Sequence, residues 1–85
     1  MTRGLAKALG PYNINVNAVA PGLTVTEAAQ SITTAEAQKE IRSRQCLKKN
    51  ILPEHIASAV VYLSSSEADR ITGHILAVNC GECLI

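Results

Sequence analysis

The sequence predicts an α/β chain that closes on a strand–helix–strand unit with its two strands parallel. Three observations predict it. Residues 14–19 carry Ile14, Val16 and Val19, β-branched side chains suited to a packed pleat, and run into the turn Pro21-Gly22. Residues 53–64 open on a proline and place Ile56, Ala59, Val60 and Leu63 at i, i+3, i+4 and i+7, one apolar helical stripe. Residues 74–78 form a second short apolar run, ended by Cys80-Gly81. A helix crossing between two parallel strands is right-handed, and it sets Gly22 and Gly81 at the same end of the sheet. In open sheets of this kind ligands sit at the carboxyl ends of the strands, so residues 22–26 are the predicted ligand end.

The flanking elements follow in chain order. Residues 2–9 read as a helix with Leu5, Ala8 and Leu9 on one face and Arg3 and Lys7 on another, ended by Gly10-Pro11. Asn15 and Asn17 interrupt the first strand, so one of its faces must meet polar partners or an edge. Pro21 lacks an N–H and is expected to leave the ladder, with Gly22 supplying the turn. Residues 27–30 are ambiguous and could form a helical turn. Thr33 with Glu36 has the capping-box pattern, so a helix should begin near Thr34 and run toward Arg44. Its apolar positions are few, Ala37 and Ile41 with Ala35, so packing holds it weakly. The helix of residues 53–64 has Glu54 in its first turn, which suits the helix dipole, but Leu52 is a poor N-cap. Ser64-Ser65-Ser66 ends it, and residues 67–70 form a polar turn. No repeat or low-complexity tract is present.

Size and composition narrow the function. Eighty-five residues make one domain, residues 1–85. Phe and Trp are absent and there are two Tyr, so the core is assembled from small side chains and is expected to be marginal unless a second copy covers it. A single strand–helix–strand unit leaves sheet edges and a face open. Eight basic and seven acidic residues leave a formal charge of +1, with neither a basic field nor stacking aromatics for nucleic acid. Arg42, Arg44, Lys48 and Lys49 read as a solvated helix end. No apolar run approaches the roughly 20 residues of a membrane span, and the start is amphipathic rather than an apolar leader. Three cysteines, an odd number, point to reduced thiols and a cytoplasmic setting.

Residues 13–26, Asn-Ile-Asn-Val-Asn-Ala-Val-Ala-Pro-Gly-Leu-Thr-Val-Thr, resemble the sixth strand and following loop of short-chain dehydrogenases/reductases. Residues 1–11 resemble the end of the helix before that strand. Pro53-Glu54-His55-Ile56-Ala57 with Val60-Val61-Tyr62-Leu63 resembles the helix before the last strand, and residues 71–81 the last strand and its glycine-ended turn. The resemblance covers nearly the whole chain, in order. It implies the C-terminal part of a Rossmann-like doubly wound parallel sheet: helix, strand, lid helix, helix, strand. It also implies hydride transfer between NAD or NADP and a small carbonyl or alcohol substrate. The family's Gly-x-x-x-Gly-x-Gly loop, its catalytic serine and its Tyr-x-x-x-Lys pair have no counterpart in this sequence. The expectation is therefore a truncated frame or an internal methionine at Met1, no catalytic residue in the chain, and no turnover by the chain alone. The alternative is a non-catalytic, self-associating scaffold. The resemblance implies a homo-oligomer through helix 53–64 and strand 74–78.

The candidate cofactor-binding residues, carried by the resemblance, are Pro21, Gly22, Leu23, Thr24 and Thr26. It implies that the Thr24 backbone holds the nicotinamide carboxamide and that the Thr26 hydroxyl lies near the carboxamide or diphosphate. The alternative is that both hydroxyls cap a following helical turn. Residues 35–44 are either a lid over the cofactor or a loosely docked surface helix. Cys80-Gly81-Glu82-Cys83 has redox spacing but follows a strand, where no helix amino terminus activates a thiol. Cys46, His55 and His74 do not complete a spaced metal set, so no metal is expected. His55 and His74 read as hydrogen-bonded or solvated. Cys80 stands where the family usually has the first glycine of its turn, which sets the φ of that position in question.

Overall fold

The structure, a computed structural model, describes residues 1–26 and 34–83. Helix α1 spans Thr2–Leu9, a 3-10 turn follows at Gly10–Tyr12, and strand β1 is Ala18–Pro21. Helix α2 spans Ala35–Arg44 and helix α3 spans Pro53–Leu63. A second 3-10 turn, Ser66–Ala68, leads to strand β2, Ile75–Val78. The strands pair in parallel, with Ala18 opposite Ile75 and Pro21 opposite Val78. The α/β reading and the parallel unit are therefore as expected.

The first strand is shifted from its expected place. Residues 14–17 are outside the ladder, and Ala20 and Pro21 are in it. The cause is the two asparagines. Asn15 Nδ2 donates to the carbonyls of Asp69 at 2.9 Å and Ile71 at 2.8 Å. Asn17 Nδ2 donates to Ile71 O at 2.8 Å, while its Oδ1 accepts from His74 N at 3.0 Å. Val16 N donates to Thr72 Oγ1 at 2.9 Å, and its carbonyl accepts from Gly73 N at 2.7 Å. Side chains thus satisfy backbone groups that a ladder would otherwise pair. The expectation that Asn15 and Asn17 meet polar partners holds, and those partners are the approach to β2.

Pro21 stays in the ladder, contrary to expectation, because its missing N–H is on the other side. Ala18 N donates to His74 O at 2.9 Å and Gly22 N to Val78 O at 2.9 Å. With a period of two, the nitrogen of Pro21 faces away from β2, where no bond of this pair is lost.

Helix ends account for most of the remaining differences. Gly10 does not end α1 with a left-handed cap; its φ is −53°, and the left-handed residue is Asn13, φ 60°, one 3-10 turn later. On α1 it is Ala6 that is buried, whereas Leu5 is 43% exposed. The side chain that caps α2 is Thr34, whose Oγ1 accepts from Ala37 N at 3.1 Å; Thr33 and residues 27–30 lie outside the described residues. At the start of α3, His55 Nδ1 accepts from Leu52 N at 2.8 Å, and His55 N donates to Leu52 O at 2.9 Å. This reciprocal pair compensates for a leucine N-cap and is the role of His55. On α3, Ile56, Ala59 and Leu63 are half-buried, but Val60 stays 49% exposed.

Three of the four basic residues of the run are engaged within the chain. Lys48 Nζ caps α2, donating to Arg42 O at 2.9 Å and Ser43 O at 2.8 Å. Arg42 Nη2 donates to Asn50 Oδ1. Arg44 reaches Glu40 at 3.2 Å and Glu82 at 3.0 Å; such exposed pairs contribute about 0–1 kcal/mol.

The core is small: among the described residues Ala6, Ile51, Ala68 and the polar Gln45 are buried. The accessible surface is 6254 Å², against roughly 4,900 Å² for a compact monomer of this mass. The radius of gyration is 15.2 Å, where about 12 Å is usual for this length. Among the described residues no strand pairs with the outer edge of β1, and much of α3 is exposed.

Candidate functional site: the loop after the first strand

The candidate loop is built where β1 and β2 end together. Beyond Pro21, the bond from Gly22 N to Val78 O carries the ladder one step further. There the two chains nearly touch. A Cβ on Gly22 would stand 2.9 Å from both Cα and Cβ of Asn79 and 3.1 Å from Ile51 Cδ1. Glycine is required for that approach rather than for a positive φ. The loop then bonds to the segment before α3: Val25 N donates to Ile51 O at 2.8 Å, and Thr24 forms an isolated parallel bridge with Ile51.

Ile51, 2% exposed, is the largest fully buried side chain among the described residues and serves as the floor of the loop. It was not among the sequence candidates. Its signal was an apolar pair, Ile51-Leu52, set between a basic run and Pro53.

Of the five candidates, Leu23 and Thr24 come together in a pocket of about 50 Å³. They share it with Val25, with Gln38, Ile41 and Arg42 of α2, and with Gln45, Lys49, Asn50 and Ile51. Pro21, Gly22 and Thr26 do not line it; Pro21 is exposed, and Gly22 and Thr26 are half-buried. The Thr24 hydroxyl turns back and donates to Gly22 O at 3.1 Å. That bond shapes the loop and is not a helix cap. The N–H groups of Leu23 and Thr24 make no hydrogen bond among the described residues. A loop with pinned ends and two unspent N–H donors is chemically suited to the carbonyl oxygen of a carboxamide.

Gln45 is a residue the sequence did not mark. It is 6% exposed, lines this pocket, and its Oε1 has no hydrogen-bond partner among the described residues. An unmet buried acceptor costs about 1–3 kcal/mol. Gln45→Leu is therefore expected to raise stability by about 1 kcal/mol in urea unfolding; a loss of stability would contradict the unmet acceptor.

The turn after β2 completes this end. Asn79 Oδ1 accepts from Gly81 N at 2.9 Å, and Asn79 Nδ2 donates to Cys83 O at 2.9 Å. Gly81 has φ +76°, and Cys80, without glycine's freedom, has φ 54°. Cys80 thus holds a left-handed conformation at the position where the resemblance implies a glycine. Cys80→Gly is expected to stabilise the chain by about 0.5–1 kcal/mol, less than the full left-handed penalty because glycine also loosens the unfolded chain. A lower thermal midpoint in Cys80→Gly would contradict this reading of the turn.

Comparison with known proteins agrees with the fold. A family model described as enoyl-(acyl carrier protein) reductase matches residues 1–82. D-xylose 1-dehydrogenase of Caulobacter vibrioides is 41% identical over 81 residues, which is 95% of this chain and 33% of that protein. The crystal structure of a hydroxysteroid dehydrogenase from Escherichia coli superposes with a TM-score of 0.91 at 34% identity, over 98% of this chain and 35% of that one. A 4-hydroxyisoleucine dehydrogenase complexed with NADH superposes with a TM-score of 0.86 at 33% identity, over 95% of this chain and 34% of that one. The parallel strand–helix–strand unit superposes on Rossmann-fold dehydrogenases. The chain belongs to the short-chain dehydrogenase/reductase family. It spans about a third of the length of the curated relatives it matches. Among the described residues no helix is long and apolar enough to cross a membrane.

Proposed function

We propose that this chain is the nicotinamide-side wall and lid of an NAD(P)-dependent oxidoreductase that moves hydride between the cofactor and a carbonyl or alcohol carbon of a small molecule. The observation that carries this is the pairing of the Gly22 loop with α2 around one pocket, at the carboxyl ends of two parallel strands. The main-chain groups of Leu23 and Thr24 would hold the carboxamide, with Pro21 and Gly22 fixing the loop's entry and Thr26 beside it. NAD or NADP would supply the hydride-carrying ring. The residues of this chain would orient that ring and exclude water, with α2 as the cover.

Two experiments test the reading. The isolated chain is expected to show no turnover with either NAD or NADP; turnover that Thr26→Ala abolishes would overturn that part. Exchanged for the matching third of the Caulobacter D-xylose 1-dehydrogenase, this segment should give a hybrid that binds NAD(P)H. Thr26→Ala in that hybrid should then weaken binding about tenfold, equivalent to about 1.4 kcal/mol. A hybrid with native circular dichroism and no cofactor binding would contradict the reading.

A second reading rests on a separate observation. Val60, Val61 and Tyr62 of α3 and Ile75 of β2 are 49, 68, 43 and 43% exposed. Unpartnered apolar side chains on adjoining elements favour self-association through residues 53–64 and 74–78, with two-fold symmetry the simplest arrangement. Light scattering that gives a monomer at high micromolar concentration, with native helix content, would exclude it.

A further inference from the structure

The three cysteines lie at one end of the molecule, on two segments that cross there. Leu47 N, one residue after Cys46, donates to Cys80 O at 2.9 Å. Cys46 Sγ is 3.4 Å from Gly81 O. A Cβ built on Gly81 would be 2.8 Å from Cys46 Cβ and 2.9 Å from its Sγ, so the Cys46 side chain is seated on the turn that carries Cys80 and Cys83. Cys80 Sγ in turn leans on the Cys46 segment, 3.8 Å from Lys49 O, a weak contact that a side-chain rotation releases. Cys83 lies past Glu82, whose carboxylate is drawn to Arg44 at 3.0 Å. All three cysteines are unbridged, with Cys46 exposed and Cys80 half-buried. Among the described residues no group of three His, Cys, Asp or Glu side chains is placed to hold a metal ion.

We propose that Cys46 and Cys80 form a reversible disulfide clasp that joins the exit of α2 to the turn after β2. The oxidant is a low-molecular-weight disulfide of the glutathione type. The exposed Cys46 thiolate attacks one sulfur of that disulfide, forming a mixed disulfide and releasing one thiolate. After rotating off Lys49 O, the Cys80 thiolate attacks Cys46 Sγ, forming the protein disulfide and releasing the second. The two protein thiols lose two protons and two electrons; the small disulfide gains both and leaves as two thiols. The crossing of the segments, and not the Cys-x-x-Cys spacing, selects the pair. In the unfolded chain loop closure would favour the short Cys80–Cys83 loop over the long one. The clasp closes residues 46–80, which include α3 and β2, so oxidation should also raise the thermal midpoint.

The test is oxidation of the 85-residue chain with oxidised glutathione, quenching by alkylation, and non-reducing digestion with trypsin and a glutamate-specific protease. Cleavage after Glu82 places Cys80 and Cys83 on separate peptides. The expected result is a monomer lighter by about 2 Da before alkylation, and, after it, the Cys46 and Cys80 peptides joined and Cys83 carrying the single alkyl group. Cys83→Ser should keep the bridge and Cys80→Ser should lose it. In 6 M guanidinium the pairing should turn to Cys80–Cys83. A native product dominated by Cys80–Cys83, by Cys46–Cys83, by stable mixed disulfides or by intermolecular dimers would overturn the clasp, as would the same pairing with and without denaturant.

Discussion

Gly22→Ala is expected to destabilise the chain by about 2–3 kcal/mol, the upper part of the range for overpacking. A new methyl group would stand 2.9 Å from the Cα and Cβ of Asn79. Asn79 Cα is backbone, one residue past the ladder, and cannot rotate aside. The third neighbour, Ile51 Cδ1 at 3.1 Å, is part of a fully buried side chain with little room to retreat. Relief requires β1 and β2 to part at their carboxyl ends, which would strain the bond from Gly22 N to Val78 O. The same substitution at Gly4, inside α1 with nothing within 4 Å of a new Cβ, is the matched control. Gly4→Ala should stabilise by about 0.5–1 kcal/mol through helix propensity. Urea unfolding of both variants checks the pair; equal effects would show that the close approach at Gly22 is not the cause.

Ile51→Ala is expected to cost about 2–4 kcal/mol. Ile51 lies under Gly22, and its backbone receives the Val25 N–H and bridges Thr24. Truncation therefore empties the floor beneath the candidate loop while leaving the loop's own residues unchanged. A chain of this size rarely has more than about 3–5 kcal/mol from one core, so either variant should bring the isolated chain close to unfolding. Loss of far-UV ellipticity at ambient temperature is the expected readout. A thermal midpoint within a degree or two of the parent would show that Ile51 is not the support proposed for it.

The architecture was legible in the sequence because its signals were physical and local. The Pro53 start and, Val60 apart, the stripe of α3 stand where expected, and β2 begins one residue later than the expected 74–78. The first strand was misplaced because β-branching at Ile14 and Val16 marks an extended chain without saying what satisfies it. Asn15 and Asn17 form bonds to residues more than fifty positions away, which no local pattern reveals. Pro21 was misjudged because a missing N–H matters only on the side facing a partner, and facing is a property of register. At the site, the Gly22 loop was visible through its Pro-Gly turn and its resemblance to the family. Ile51 and Gln45 were not, since their importance comes from a pocket formed by three separate segments. The absence of large aromatics foretold a thin core, and a surface well above that of a compact monomer agrees with it.

On the proposed function, the loop after β1 holds the nicotinamide end of the cofactor through its main chain. Amide chemical-shift mapping of the hybrid enzyme, with this segment isotopically labelled and NADH added, tests it most directly. The expected shifts centre on the Leu23 and Thr24 amides, with Ala6 and the α1 amides unmoved. Saturating NADH that shifts amides elsewhere in the hybrid but leaves residues 22–26 unchanged would contradict it.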